Sequence, residues 1–315
     1  AYWNLVFSIE NRKVKLQSLE VAQKLLDENR KRFERGVLGK IDVTQAEAGL
    51  ASQQEGILTA ENMVLDASDR LKRLIDPALL KEETVLSPTE APKPYEAGLD
   101  EKQAVETSMT KALSRRSDYL QILTQIRTQE VTIVKAERDV LPKLDLTGRA
   151  ALTGIDDSFS GGNEEMRTAD FHDLSAGFVL EYALGQSAAT GTRNRAQLER
   201  RRLELQRMNL ENLILVEVRE AVRRVKTNEK RIDATRQARV LTEEQFEAEK
   251  TRQEQGLSTT FRVLDVQEDL TAARTHEVKA LVDYRLSLSA MTRITETLLK
   301  KYDILLQEHL PPRHR

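Results

Sequence analysis

Arg32-Phe33-Glu34-Arg35-Gly36-Val37 lies over Arg252-Gln253-Glu254-Gln255-Gly256-Leu257 without a gap, at an offset of 220 residues. At the same offset Val43 meets Val263, Leu50 meets Leu270, Arg73 meets Arg293 and Leu74 meets Ile294, so the chain holds two related copies of one unit. After each glycine runs an apolar seam. In the first copy Val43, Ala46, Leu50, Gln53, Ile57, Ala60, Val64, Ala67, Leu71 and Leu74 step by three and four. The second copy gives Val263, Val266, Leu270, Ala273, Glu277, Ala280, Tyr284, Ser287, Met291 and Ile294, with Glu277 and Ser287 as exceptions.

A sustained repeat of about 3.5 residues means knobs-into-holes packing and left-handed supercoiling, because an undistorted helix drifts about 20° per heptad off its partner. Alanine-rich seams let helix axes approach closely. Gly36 and Gly256 stand where the preceding helices should stop, since glycine reaches the left-handed C-terminal cap without a Cβ penalty. Each copy is expected to be a helical hairpin with a short turn.

From about Ala188 to Glu254 there is no proline, and Ile214, Val218, Ala221, Val225 and Ile232 recur at helical spacing. One helix of that length would span roughly 100 Å, far more than a globular domain needs. Pro77, Pro88, Pro92 and Pro94 mark residues 77–100 as a connector. Shorter helices are expected on either side, over about 40–76 and 101–141, long enough together to stack end to end beside the long one. After Pro142 the period becomes two: Leu144, Leu146, Gly148, Ala150 and Leu152 alternate with Asp145, Thr147, Arg149, Ala151 and Thr153. A second strand is expected at 174–184, with Leu174, Ala176, Phe178, Leu180 and Tyr182 on one face and Ser175, Gly177, Val179, Glu181 and Ala183 on the other. The polar residues Ile155 to Asp173 join the two.

Strands of about ten residues with apolar-out, small-or-polar-in alternation have the length a tilted outer-membrane strand needs. Two strands cannot close a barrel, so either several subunits pool them or the hairpin is an edge ribbon of a soluble protein. The expected organisation is a first-repeat hairpin (1–76), the connector (77–100), a helix of the second repeat (101–141), two strands with their loop (142–186), a long second hairpin (187–300) and a tail (301–315). The chain opens on Ala1-Tyr2-Trp3-Asn4-Leu5-Val6, which already reads as helix interior with no cap before it. The offset places the copies of Leu144 and Ala188 before residue 1. The expectation is that roughly 75 residues with another strand pair and the start of the first long helix precede this chain, giving four strands per complete subunit.

Composition agrees with long helices and a narrow apolar seam: of 315 residues, 32% are charged, with only 13 glycines, 7 prolines and 4% aromatics. A net charge of -2 gives no footprint for nucleic acid, and no cysteine means no disulfide, zinc-thiolate site or cysteine nucleophile. There is no run of 18 apolar residues, which excludes a membrane-spanning helix and leaves weak-signal β-strands open. His172, His276, His309 and His314 lack metal-ligand spacing, so no metal centre and no cofactor is expected. Gly161-Gly162 falls in the loop between strands rather than at the start of a helix, so it is no phosphate cradle. Arg200-Arg201-Arg202 and Arg223-Arg224 are interleaved with Glu199, Glu204 and Glu220 at helical spacing, as on a solvated ion-paired face.

The opening Ala1-Tyr2-Trp3-Asn4-Leu5-Val6, the two turns with the helix starts after them (Gly36 to Glu47 and Gly256 to Gln267), and Leu141-Pro142-Lys143-Leu144-Asp145-Leu146 together resemble the TolC-like outer-membrane efflux family. The likeness covers nearly the whole chain and rests on order, spacing and twofold repetition. It implies a mainly α fold of long antiparallel coiled-coil hairpins forming an α-barrel. The strands would contribute to a β-barrel pooled by a homotrimer in the outer membrane of a Gram-negative bacterium. The subunit would be no enzyme but a passive exit duct, fed by an inner-membrane pump and a periplasmic adaptor, with lipid around the barrel and no nucleic acid.

The resemblance also implies that the hairpin tips form the periplasmic entrance. Adaptor contact would fall on Gly36, Val37 and Leu38 and on Gly256, Leu257 and Ser258, and a gate on Asp42 and Asp265. Arg262 departs from the pattern, standing where the best-known member of the family has an aspartate, and could pair with Asp42 or Asp265 to hold the tip closed. Short polar residues beside a turn also serve simply as helix caps, so both roles stay open for these three. Two further departures are Ala183 where proline is frequent after the strand, and Arg116-Ser117 where Arg-Pro is frequent before the helix at Asp118. The competing readings are a soluble coiled-coil scaffold, which leaves the apolar strand face uncovered, and a periplasmic adaptor, which would need a glycine-rich β-domain flanking a single hairpin.

Overall fold

The computed structural model describes residues 1–81, 84–91, 101–152, 172–182, 185 and 187–304. The expected loop between the strands, Thr153, the connector from 92 to 100, Ala183 and the tail beyond 304 lie outside the described residues. The chain divides into two compact units, one of Ala1–Arg115 with Ile214–Arg315 and the other of Arg116–Leu213.

The first unit holds one helical hairpin whole and the greater part of a second. Helix α1 (Tyr2–Glu34) turns at Gly36 into α2 (Lys40–Ile75). The long helix α5 (Ser187–Glu254) runs down to Gly256 and turns into α6 (Thr260–Ile294). Helix ends therefore repeat the sequence offset: Glu34 and Glu254 close the descending helices, and Lys40 and Thr260 open the ascending ones. A short 3-10 turn (Pro77–Lys81) follows α2, α3 spans Glu101–Arg115, and the one-turn α7 (Leu298–Lys301) follows α6.

The seams lie inward as the period requires. Ala46, Ile57, Ala60, Val64 and Ala67 of α2 are buried, as are Val263, Val266, Leu270, Ala280, Tyr284 and Ser287 of α6. Ile214, Val218, Ala221, Val225 and Ile232 are the buried line of α5. Leu25 of α1, Phe246 of α5 and Val263, Val266 and Leu270 of α6 make one cluster, and Leu5, Val64 and Ala67 another. The polar interruption at Glu277 is an ion-pair position: its carboxylate lies 2.6 Å from Arg239 Nε and 3.6 Å from Arg236 Nε on α5.

The end of α2 departs from expectation. Leu74 is 68% exposed while Lys72, beside it, is only 4% exposed. Here the chain after the 3-10 turn packs back on the helix. Ser68 Oγ accepts the Leu86 N–H at 3.2 Å, and Leu86 joins the cluster of Leu5, Val64 and Ala67, so the inward line shifts to Ser68 and Lys72.

The second unit is built by α4 (Ser117–Arg138), the strands β1 (Lys143–Leu152) and β2 (His172–Glu181), and the first part of α5. One helix expected over 101–141 is thus two. At Arg116 the backbone turns to ψ 123°, outside the helical region. Its guanidinium holds both Asp118 carboxylate oxygens, at 3.1 and 2.7 Å, and holds the Asp118 pKa below the usual carboxylate range. Tyr119, buried, donates its hydroxyl to Glu211 of α5 at 2.6 Å, and that bond raises the phenol pKa.

The strands pair antiparallel with Leu144 opposite Leu180, Leu146 opposite Phe178, Gly148 opposite Ala176 and Ala150 opposite Leu174. This register puts both apolar rows on one face. Asp145, Thr147 and Arg149 line the other with Val179, Gly177 and Ser175. β2 begins two residues before the expected start because His172 pairs with Leu152, and ends at Glu181 opposite Lys143. The apolar row stands in solvent in the single chain: Leu146 is 71% exposed, Leu174 80% and Phe178 76%.

Candidate functional site

Both tips are built the same way. Arg35 ends α1, and Gly36 adopts φ +74°; Gly256 adopts φ +77° at the equivalent place after α5. Reverse hydrogen bonds close each helix: Val37 N–H to Arg32 O (2.9 Å) with Gly36 N–H to Phe33 O (2.9 Å), and Leu257 N–H to Arg252 O (2.8 Å) with Gly256 N–H to Gln253 O (3.0 Å). The turn leaves an apolar side chain outward on each tip, Val37 at 64% exposure and Leu257 at 75%. Ile41 and Phe261, also offset partners, are exposed beside them. Leu38 and Ser258 are half-buried, and the Ser258 hydroxyl donates to the Glu249 carboxylate.

The second helix of each tip is capped differently. At α2 the N-cap is Gly39, with no side chain to offer, and the Asp42 carboxylate reaches back to accept the Gly39 N–H at 3.3 Å. At α6 the N-cap Thr259 accepts the Arg262 N–H on Oγ1 at 3.3 Å, so a carboxylate is not needed three residues on. This explains how arginine can occupy position 262. Arg262 Nη1 then lies 2.7 Å from Asp265 Oδ2 one turn along, both side chains about half exposed. Arg262 and Asp265 are thus brought together, and Asp42 is placed on the other tip.

The tips are joined by a buried polar knot that periodicity alone does not single out. Asn29, fully buried, donates Nδ2 to Thr260 Oγ1 (3.0 Å) and to Asp42 O (3.4 Å), and its Oδ1 accepts Gln253 Nε2 at 3.1 Å. Gln253 Nε2 also reaches Thr260 Oγ1 at 3.4 Å. Arg32 clamps the end of α5, donating to Gln253 O at 3.2 Å and Glu254 O at 2.8 Å. The sequence signal was there: Ala22, Leu25 and Asn29 keep three-four spacing, so an amide stands where the seam calls for an apolar residue.

A second outward feature belongs to the flanks. Ala48, Ala51, Leu58 and Leu65 on α2, and Ala234, Ala238, Leu241 and Ala248 on α5, keep heptad-like spacing on faces exposed in the single chain. Each of these helices therefore carries one filled seam and one open one. No group of histidine, cysteine or acidic residues arranged to hold a metal exists among the described residues. No helix among them is long and apolar enough to cross a membrane.

Two repeated coiled-coil hairpins and an antiparallel strand pair with one apolar face define the fold of the TolC-like outer-membrane channels. The structure of the outer-membrane channel OprN is similar at 18% identity and a TM-score of 0.73, over 93% of this chain and 64% of that one. The CmeC outer membrane channel of Campylobacter jejuni is 20% identical, with a TM-score of 0.66 over 93% of this chain and 60% of that one. The outer membrane protein VceC of Vibrio cholerae is 18% identical, with a TM-score of 0.70 over 93% and 67%. The chain spans less than two thirds of the length of the first two. No protein-family model matches the sequence, and no curated protein matches it.

Proposed function

We propose that this chain forms part of an outer-membrane channel subunit, a passive exit duct of a tripartite efflux or secretion assembly in a Gram-negative bacterium. The observation that carries the proposal is the strand register: ten paired positions align two apolar rows on one face and leave that face uncovered. Ten residues at about 3.3 Å each, tilted by about 45°, cover roughly 23 Å, close to the apolar band of an outer-membrane barrel. A barrel needs more than two strands, so copies must pool theirs. The open seams on α2 and α5 offer two different faces for a heterologous ring, and the trimer that the family resemblance implies would close it.

In this reading the subunit catalyses no reaction. The tips are the periplasmic entrance, Val37, Leu38, Leu257 and Ser258 with the turning glycines Gly36 and Gly256 receive an adaptor, and an inner-membrane pump supplies energy. Asp42, Arg262 and Asp265 set the charge of the entrance, acting through fields that are strong where water is confined. A soluble scaffold would leave the apolar strand face without a purpose, and an adaptor would need one hairpin rather than two.

The test is fractionation of cells expressing the complete gene product, followed by the mass of the detergent-solubilised assembly. An outer-membrane trimer supports the duct. A soluble monomer or dimer refutes it and favours the scaffold.

A further inference from the structure

A groove of about 910 Å³ lies between α3 and α5, within the range of small-molecule pockets and away from the tips. Its floor is apolar: Val105, Met109 and Leu113, spaced by four on α3, with Leu215 of α5. The other face of α3 is spent on packing, with Ala104, Ser108 and Ala112 buried. Glu101 pairs with Lys226 at 3.4 Å, which sets the direction: the two helices run antiparallel, so Leu113 and Leu215 share one end. Toward the other end, Arg219 and Arg223 stand one turn apart on α5. Neither guanidinium makes an ion pair among the described residues, in a helix where Arg200, Arg202, Arg224, Arg231 and Arg239 all do. Glu101, Glu106, Lys102, Arg219 and Arg223 are the charged residues that line the groove, three positive and two negative.

We infer that this groove binds an amphiphilic organic monoanion. Its apolar body lies along Val105, Met109, Leu113 and Leu215, and its head group accepts from Arg219 and Arg223. Two guanidiniums one turn apart can each donate to one carboxylate or sulfate, and charge-assisted bonds of that kind are the strong ones. The two guanidiniums make the head-group end of the groove positive, which complements an anion. From Val105 to Leu113 the floor runs roughly 12 Å, the reach of a medium-length acyl chain. The site rests on the groove's own chemistry and holds whether or not the chain is a duct.

The test uses the full protein in detergent-free phosphatidylcholine nanodiscs and decanoic acid carrying a terminal diazirine as the photoprobe. Labelling is expected on peptides containing Met109, Leu113 or Leu215, suppressed by excess decanoate and not by decyltrimethylammonium. Arg219→Gln with Arg223→Gln should lower half-saturation affinity by about tenfold or more for decanoate, and leave binding of a decanol diazirine unchanged. Both arginines are on the exposed face of α5, so this variant should fold. Met109→Glu, which puts a charge on the floor, should abolish labelling by both probes. Labelling elsewhere, no labelling, or equal labelling by the acid and alcohol that the arginine variant leaves unaltered would each overturn the site.

Discussion

Replacing Asn29 by alanine should loosen both tips at once. The side chain is fully buried and makes two short hydrogen bonds, to Thr260 Oγ1 at 3.0 Å and from Gln253 Nε2 at 3.1 Å, with a longer one to Asp42 O. Each short bond contributes about 1 kcal/mol net, and the buried Gln253 amide, left with one long bond to Thr260, costs about 1 kcal/mol more. The sum is about 2–3 kcal/mol of local stability, and at about 1.4 kcal/mol per decade the opening equilibrium rises roughly 30- to 150-fold. Amide hydrogen exchange of the complete, reconstituted protein reads this directly. The reporters are the Gly36, Val37 and Leu257 amides that close the helices, with α2 amides near Ile57 as the internal reference. Thr260→Val, nearly the same size, should give a smaller effect. The double variant should show a coupling energy of about 1 kcal/mol. If the Asn29→Ala tips exchange within about threefold of the parent, the knot does not hold the hairpins together and the reasoning fails.

Other outcomes follow from the same geometry. Gly36→Ala meets no steric neighbour, so its cost is the left-handed backbone alone, about 1–2 kcal/mol, whereas Gly56→Ala in the middle of α2 meets only the flexible end of Lys15 and should stabilise by up to about 1 kcal/mol; thermal melts with opposite shifts check this. Tyr119 donates to Glu211, so its raised pKa means the bond stabilises fully below the unfolded phenol value near about 10 and is lost as pH rises through the higher folded value. Ultraviolet titration should show a late-ionising component that Tyr119→Phe removes. Leu146→Arg on the apolar strand face should cost about 2–4 kcal/mol in a bilayer and reduce outer-membrane assembly, while Thr147→Arg on the opposite face should be tolerated; equal yields would argue against lipid contact at Leu146. In single-channel recordings Asp265→Ala should shift ion preference toward anions by removing the partner of Arg262, and an unchanged reversal potential would remove both from the gate.

The repeat made most of the fold legible. Gly36 and Gly256 were readable because a left-handed cap is a strict local demand, and the seams because a 3.5 period survives single polar substitutions such as Glu277. What periodicity did not reveal depends on partners distant in sequence. The break at Arg116 needs the Arg116 and Asp118 fork, for which no proline stands as a marker. The shift from Leu74 to Lys72 needs Leu86 to fold back on Ser68. At the tips, the charge pattern suggested that Arg262 could meet either acid. The choice of Asp265 follows from one helical turn of separation, whereas Asp42 is occupied at the cap of the other tip. Asn29 acquires its meaning only from Thr260 and Gln253, more than 220 residues away in sequence.

The kind of interaction differs between the helix pairs, and the difference fixes how the hairpins register. Within each hairpin the apolar seams are flanked by ion pairs: Arg30 with Glu47 and Arg12 with Glu61 between α1 and α2, and Glu243 with Arg274, Glu277 with Arg239 and Asp283 with Arg231 between α5 and α6. Exposed or half-exposed pairs of this kind contribute about 1 kcal/mol or less each and tolerate small displacements. Between α1 and α6 the buried groups are instead neutral: Ser18 with Thr271 at 2.6 Å, Gln267 donating to Ser18 O at 2.8 Å, Thr275 donating to Asn11 at 3.2 Å, and the Asn29 knot. Hydrogen-bonded polar layers add little net stability when matched, because water would satisfy the same groups. Their weight lies in the mismatch. A slip of α6 by one heptad along α1 would keep alanine and valine in contact with apolar neighbours but strand Asn29, Ser18 and Gln267 without partners, at about 1–3 kcal/mol for each buried group. Apolar packing therefore holds each hairpin shut, while the neutral polar layers decide where one hairpin stands against the next.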